Sequence, residues 1–248
     1  MGAVGLRRVS VGGLLIIFVF ATFITGCQNA NFFSTKDEVR LGEEGAKQVE
    51  QQYRIEVNTP DAIRVRRIGE RLLMHIHRRP GVPYSFHVLD SPTINAFSLP
   101  GGPVYVFSGL IDLVGNDNDA LACVIGHELG HIQARHAVKK LSSEMESGIL
   151  ISILLRGNAQ TLANLGAQLI NLHYSRGDEY EADWRGVSYA YKAGYDPNGI
   201  IRFFDKLEVL EKKQKGAPPA WLQDHPLTKD RIKRIEHIIA THDYKYGM

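Results

Sequence analysis

The chain has 248 residues, enough for one ordinary domain with a short accessory segment. Apolar residues make up 44% of it and charged residues 23%, which excludes a disordered or collagen-like chain. The formal net charge of +2 is too small for a nucleic-acid-binding surface, and two cysteines cannot build a disulfide framework.

The first 27 residues have the pattern of a bacterial lipoprotein signal. Two arginines precede an apolar run over 14–24, which is shorter than the roughly 20 residues of a membrane span. The run leads into Ile-Thr-Gly-Cys, which resembles a lipobox and implies cleavage before Cys27 and acylation of that residue. An ordinary signal peptide or an uncleaved anchor stays open. By analogy with enterobacterial sorting, Gln28 favours the periplasmic face of the outer membrane and leaves the inner membrane open.

Behind this signal we expect a tether over 28–34 and one domain over 35–248. Thr35 and Glu38 have the spacing of a capping box and predict a polar helix to about residue 52. The sequence Thr-Pro-Asp at 59–61 predicts the start of a second helix.

Short strands are predicted within 84–107, where the apolar residues alternate. Gly101 and Gly102 predict a tight turn between two of them. The stretch from Asn95 to Phe107 is therefore a candidate sheet edge to which an extended substrate could add as a strand, and a core hairpin is the alternative.

The remainder is predicted to be mostly helical. The segment 141–173 contains an apolar stretch too short to cross a bilayer, so we expect it to form a buried or mobile helical cover. The other predicted helices run over about 119–140, over about 178–192, onward from Asp196-Pro197, and over about 228–241.

Residues 127–131 read His-Glu-Leu-Gly-His inside the first of these helices. Residues four apart lie on one helix face, so His127 and His131 can bind one metal ion together. Glu128 lies about 100° round the helix from His127, where a carboxylate can take a proton from a zinc-activated water. Because burying such groups among apolar neighbours is costly unless they are used, the pattern favours zinc over a metal-free surface helix.

A catalytic zinc needs a third protein ligand and one open position. Glu179 and Asp183 are four residues apart on a predicted helix and share one face, so spacing alone leaves both as candidates. Glu181 lies about 160° from Asp183 and is predicted to point elsewhere.

Together the motifs resemble the zinc metallopeptidase family that contains the CAAX prenyl proteases, the HtpX-type membrane proteases and several periplasmic lipoprotein proteases. The matching segments are 127–131, Ser175-Arg176, 179–183, and His225-Pro226 with Arg231. The resemblance implies an α+β fold, a mostly helical zincin-like domain with a small β-sheet beside the HExxH helix.

The resemblance also implies one Zn²⁺ held by His127, His131 and Glu179. Glu128 would then be the general base. Asp183 would orient one of the ligand histidines, and an exposed helix acid is the alternative for it.

Three further residues are candidates. In periplasmic members, the histidine matching His225 takes the fourth zinc position or stabilises the oxyanion, and a surface-loop histidine is the alternative here. Arg176 and Arg231 could bind substrate carbonyls or glutamate side chains, although structural salt bridges explain them equally well. His136 follows His127 by nine residues, so on a continuous helix it is predicted to face away.

These expectations describe a zinc metalloendopeptidase of the bacterial cell envelope. Its substrates would be unfolded or misassembled envelope proteins, its membrane contact a lipid anchor at Cys27, and it would have no nucleic-acid partner. One rival is an assembly factor or holdase with a latent zinc site closed by His225. Another is a different zinc hydrolase, such as a small-amide deformylase or a cell-wall amidase.

Overall fold

A computed structural model describes residues 33–144, 169, 172–213 and 217–244. The predicted cleavage site, the predicted tether up to residue 32 and most of the predicted 141–173 cover lie outside these residues. Among the described residues, every helix is too short or too polar to span a bilayer.

A small four-stranded sheet forms one layer of the domain. Its strands are β1 (Ile55–Glu56), β2 (Ser85–Leu89), β3 (Ala96–Ser98) and β4 (Pro103–Phe107), in the spatial order β1-β2-β4-β3. Strands β2 and β4 are parallel, and the other two pairs are antiparallel. The predicted glycine turn is confirmed, since Gly101 and Gly102 have positive φ values of 80° and 122° and join β3 to β4. This turn leaves β3 at the edge of the sheet.

Helices supply most of the fold, which confirms the predicted α+β class. The helices are α1 (Thr35–Gln52), α2 (Pro60–Leu73), α3 (Ser108–Val114), α4 (Asn118–Ala134), α5 (His136–Glu144), α6 (Arg176–Lys192), α7 (Gly199–Lys213), α8 (Ala220–Asp224) and α9 (Lys229–Thr241). Helix α4 is buried along nearly its whole length and packs against α2, the sheet, α6 and α7.

Two glycines let α4 and α6 approach closely. A Cβ atom on Gly130 would lie 2.9 Å from the Ala182 carbonyl oxygen, and one on Gly186 would lie 2.6 Å from the His127 nitrogen. Both distances are shorter than real Cβ contacts, so a larger residue would push the two helices apart. The close approach brings the acids of α6 beside the histidines of α4.

Two helix starts differ from the predictions. The capping box of α1 is formed by Ser34 and Asp37, one residue before the predicted pair, because Glu38 instead turns inward to bind arginines. The helix predicted from Asp196-Pro197 begins only at Gly199, because the Asp196 carboxylate bonds the Asn198 backbone and closes a turn first.

The long helix predicted over 119–140 is wrong as a single element. It ends at Ala134, and Arg135 takes a left-handed conformation with φ 61° and ψ 33° before α5 begins. Such a conformation costs a residue other than glycine roughly 1–2 kcal/mol. The Arg135 side chain offsets this cost with bonds to the Glu38 carboxylate and the Phe33 carbonyl oxygen.

Candidate metal centre

Three helices bring four potential metal ligands together. His127 and His131 come from α4, Glu179 from the first turn of α6, and His225 from the residue that ends α8. One ligand atom from each lies within 4.8 Å of the others. All four side chains are buried, with relative exposures of 1% to 2%.

Four of the six distances between these atoms are close to the edges of a tetrahedral site. His127 Nε2 lies 3.1 Å from His131 Nε2 and 3.3 Å from His225 Nδ1. Glu179 Oε1 lies 3.0 Å from His225 Nδ1 and 3.5 Å from His131 Nε2. Zinc bonds of ~2.0–2.1 Å imply edges of about 3.3 Å between tetrahedral ligands. Three histidine nitrogens and a carboxylate oxygen are also a donor set that zinc prefers, so these residues fit the ion.

The carboxylates of the site stabilise positive charge beside them, whereas burial keeps His131 neutral. Burial lowers the pKa of His131 far below its ordinary value, which keeps the ring neutral with a lone pair available. Burial would raise the pKa of Glu179, but His225 and His131 hold it well below its usual range. Burial likewise opposes charge on His225, yet the carboxylates of Glu179 and Glu128 raise its pKa to about 9.

Glu128 lies at the edge of this cluster. Its Oε2 accepts a 3.0 Å hydrogen bond from the Ser98 hydroxyl on edge strand β3. Its Oε1 is buried without a hydrogen-bond partner among the described residues and lies 3.5 Å from His225 Nε2. Burial raises the pKa of the Glu128 carboxyl above its usual range, which strengthens it as a base.

Asp183 lies behind the cluster, on the same face of α6 as Glu179. Its Oδ1 lies 3.0 Å from His127 Nδ1, a close contact that is not directed as a hydrogen bond. The resemblance gave it the task of orienting a ligand histidine, and the contact places it beside His127.

Arg231 is almost fully buried and forms ion pairs with Asp183 and Glu179. Its guanidinium donates two 2.7 Å hydrogen bonds to Asp183 and lies 2.8 Å from Glu179 Oε2. It also bonds the carbonyl oxygens of His225 and Pro226. These contacts match the salt-bridge alternative for Arg231 and leave its donors turned toward protein groups.

Helix α8 is fixed beside the sheet by contacts that the local sequence does not reveal. The Trp221 backbone N–H donates to the Ile94 carbonyl oxygen over 3.0 Å, and Asn95 bonds the Asp224 carboxylate over 2.7 Å. His225 therefore lies inside the cluster, which rules out the surface-loop alternative. Arg176 is different, because it is exposed at the first position of α6 and is not part of the cluster.

Two residues near the cluster were missed by the sequence analysis. The expectation that His136 faces away is wrong, because the turn at Arg135 carries its Nδ1 to 2.9 Å from His131 Nδ1. Tyr174 stacks on the His131 ring with centroids 4.0 Å apart. The sequence marks Tyr174 only by its position just before the Ser175 N-cap. No sequence pattern predicted the turn at Arg135.

Comparisons with known proteins agree with this site. The model of peptidase family M48 matches residues 61–239. Metalloprotease LoiP of Escherichia coli (strain K12) is 28% identical over 252 residues, covering 91% of this chain and 95% of LoiP. Mitochondrial metalloendopeptidase OMA1 of Schizosaccharomyces pombe is 30% identical over 220 residues, covering 86% of this chain.

This chain spans only part of some relatives. It matches 64% of that OMA1, and 36% of the beta-barrel assembly-enhancing protease of Yersinia pestis, to which it is 31% identical over 180 residues. The family match nevertheless covers most of this chain and includes the four clustered ligands. The chain therefore belongs to peptidase family M48 and is a zinc metallopeptidase.

Proposed function

We propose that this protein is a zinc-dependent endopeptidase of the bacterial cell envelope that cleaves unfolded or misassembled envelope proteins. The observation that carries the chemistry is the buried Glu128 Oε1, which accepts no hydrogen bond from the described residues and lies beside a buried cluster of three histidines and a glutamate. A site that only held a structural metal would have no use for this carboxylate.

In this proposal His127, His131 and Glu179 hold the zinc ion. When bound, zinc supplies Lewis acidity, which polarises a carbonyl and makes a water acidic near neutral pH. Glu128 takes a proton from the attacking water on Oε1, while Ser98 holds Oε2, and then passes that proton to the leaving amine. Asp183 fixes the His127 ring.

His225 has two open roles, fourth zinc ligand and oxyanion stabiliser. Its Nδ1 faces the cluster and its Nε2 faces Glu128. A catalytic zinc keeps one position open for water or substrate, so a His225 that acts as the fourth ligand must leave that position before the enzyme can turn over. The same closure favours the second candidate function, an envelope assembly factor or holdase with a latent zinc site.

Edge strand β3 is the proposed docking site for substrate. It lies at the end of the sheet, and its Ser98 bonds Glu128 directly. Addition of a peptide strand uses backbone hydrogen bonds, which tolerate many sequences and suit a protease of unfolded chains. The name of the Yersinia pestis relative, which refers to beta-barrel assembly, supports substrates of the envelope.

The proposed location rests on the lipobox. Signal residues 1–27 would be removed, Cys27 acylated, and residues 28–34 would tether the domain over 35–248 to the periplasmic face of the outer membrane. The bacterial relatives support a bacterial setting for this arrangement.

The test compares the wild-type protein with Glu128→Gln. Bound zinc is quantified, and each protein is incubated with unfolded casein. We expect equal zinc in both and cleavage only by the wild type. Zinc in the wild type without cleavage would favour the latent site, and His225→Ala should then restore cleavage if His225 closes it. Absence of zinc after reconstitution would contradict the ligand assignment, and cleaved peptides mapped by mass would exclude an amidase.

A further inference from the structure

The ring of His136 contacts a zinc-ligand candidate from behind. His136 is the first residue of α5 and is 1% exposed. Its Nδ1 lies 2.9 Å from His131 Nδ1, on the side of the His131 ring opposite to the metal cluster. The left-handed turn at Arg135 creates this contact.

One constraint determines which nitrogen of each histidine ring carries a proton. His131 must keep Nε2 free of a proton to bind a metal, so its single proton lies on Nδ1. That N–H can donate only if His136 Nδ1 is an acceptor, which places the His136 proton on Nε2. This choice of tautomers is inferred from the hydrogen-bond partners.

Helix α6 supplies acceptors for this last proton. His136 Nε2 lies 3.4 Å from Glu181 Oε2 and 3.4 Å from Asp178 Oδ1. Glu181 is itself fixed by Arg185, which bonds its other oxygen over 2.9 Å and 2.7 Å. The chain from His131 through His136 to Glu181 is therefore complete, with one proton for each contact.

We propose that His136 is a positioning residue that fixes the tautomer and the ring plane of His131 for zinc binding. The inference rests on the proposed role of His131 as a zinc ligand. Each ligand histidine of α4 then has its own support from α6, directly from Asp183 for His127 and through His136 for His131. Such partners raise metal affinity because they stop the ring from rotating away.

The test distinguishes the role of His136 Nδ1 from that of His136 Nε2. Asn places an oxygen near the Nδ1 position and can still accept from His131, whereas Gln places its amide near Nε2 and leaves His131 without a partner. Zinc affinity of the full chain is measured by competition with a chromophoric chelator. We expect His136→Gln to bind zinc ~10–100-fold more weakly and His136→Asn to stay within about threefold of the wild type.

Two further measurements exclude a general structural effect. His87→Gln alters another partly buried histidine, on β2 and outside the cluster, and should leave zinc affinity unchanged. The visible spectrum of the Co²⁺-substituted protein should change in His136→Gln and not in His136→Asn, because only Gln frees the ligand ring.

The inference is overturned if His136→Gln binds zinc like the wild type, or if His136→Asn is as weak as His136→Gln. If His136→Gln does not fold, His136→Ala decides, because it also removes the acceptor for the His131 Nδ1 proton and should weaken zinc binding severalfold, and an unchanged affinity would overturn the proposal. Unchanged zinc affinity in His131→Ala would instead contradict the ligand assignment itself. A wild type that binds zinc but cleaves nothing would contradict only the proposed function.

Discussion

The Ser98 hydroxyl controls how the Glu128 carboxylate is presented. It lies 3.0 Å from Glu128 Oε2 and 3.2 Å from the Glu128 carbonyl oxygen, both within one buried pocket. A carboxylate held at one oxygen keeps the other oriented, and this orientation is what a general base needs. Ser98 is thus the nearest support of the proposed base.

We expect Ser98→Ala to lower kcat for casein about 10- to 100-fold, because a hydrogen bond to a charged group contributes roughly 1.5–3 kcal/mol. Zinc content should not change, since Ser98 is not one of the clustered ligands. Steady-state kinetics with metal analysis measures both quantities.

Ser188→Ala is the matched control for that experiment. Ser188 is a fully buried serine on α6 whose hydroxyl has no hydrogen-bond partner within the described part of the chain. Its removal should leave kcat unchanged. An equal loss in both variants would mean that kcat responds to packing and not to the bond with Glu128.

At the scale of elements, the start of α4, the helix that contains His127 and His131, is capped by one carboxylate. Asp117 caps α4 by accepting from the Ala120 N–H over 3.0 Å. Arg202 on α7 donates to the same carboxylate over 2.7 Å and 3.1 Å. These hydrogen bonds from Arg202 lower the pKa of Asp117 to about 2.

Asp117→Ala should lower the free energy of unfolding at pH 7 by about 1–2 kcal/mol, because both the cap and the ion pair are lost. Asp117→Asn should cost less, at most about 1 kcal/mol, since asparagine also caps helices. Urea denaturation of the metal-free proteins measures the difference.

The pH dependence has a definite sign. The pKa of Asp117 is about 2 in the folded chain, below the ~3.9 of an unfolded chain. The ion pair therefore stabilises fully above pH ~4, and its contribution disappears as the pH falls toward 2. The difference in the free energy of unfolding between wild type and Asp117→Asn should decrease over that range. The control is Asp112→Asn, which replaces an exposed acid on α3 and should show no such decrease. A gap that persists at low pH would contradict the assignment.

At the scale of the whole molecule, the first described helix, α1, is fixed to the C-terminal end of α4. Glu38 of α1 is 1% exposed and is held by the Arg79 guanidinium, with contacts of 2.5 Å and 2.6 Å. Arg135 bonds Glu38 from the other side over 3.0 Å, and Arg79 also bonds the Ile132 carbonyl oxygen. These contacts connect α1 to the C-terminal end of α4.

We therefore expect Cys27→Ala to release the protein from membranes without loss of casein cleavage. A lipid anchor supplies about 0.8 kcal/mol per buried methylene, so several acyl chains hold firmly and their loss is decisive. Membrane fractionation, with mass analysis of the N-terminal peptide, measures the anchor. Glu128→Gln is the control that should stay on the membrane. Continued membrane association of Cys27→Ala protein from which mass analysis shows residues 1–26 to be removed, or a wild-type Cys27 without acyl groups, would contradict lipid anchoring.

The sequence alone determined the features that depend on short spacing. His127 and His131 share a face because α-helical geometry repeats within four residues, and Glu128 follows from the same geometry. The start of α4, the α6 and α9 helices and the turn at Gly101-Gly102 were likewise predictable, because local patterns specify them, and the family resemblance implied the α+β class.

Only the tertiary structure decided how distant residues are used. Spacing left Glu179 and Asp183 equivalent, and the packing of α4 on α6 separates them by placing Glu179 in the cluster and Asp183 behind His127. Arg231 turns toward these acids for the same reason. His136 was misjudged because one left-handed residue, stabilised by a partner 97 positions away, redirects the chain toward His131. Local sequence patterns predict helical periodicity, but they do not predict the long-range contacts that interrupt a helix.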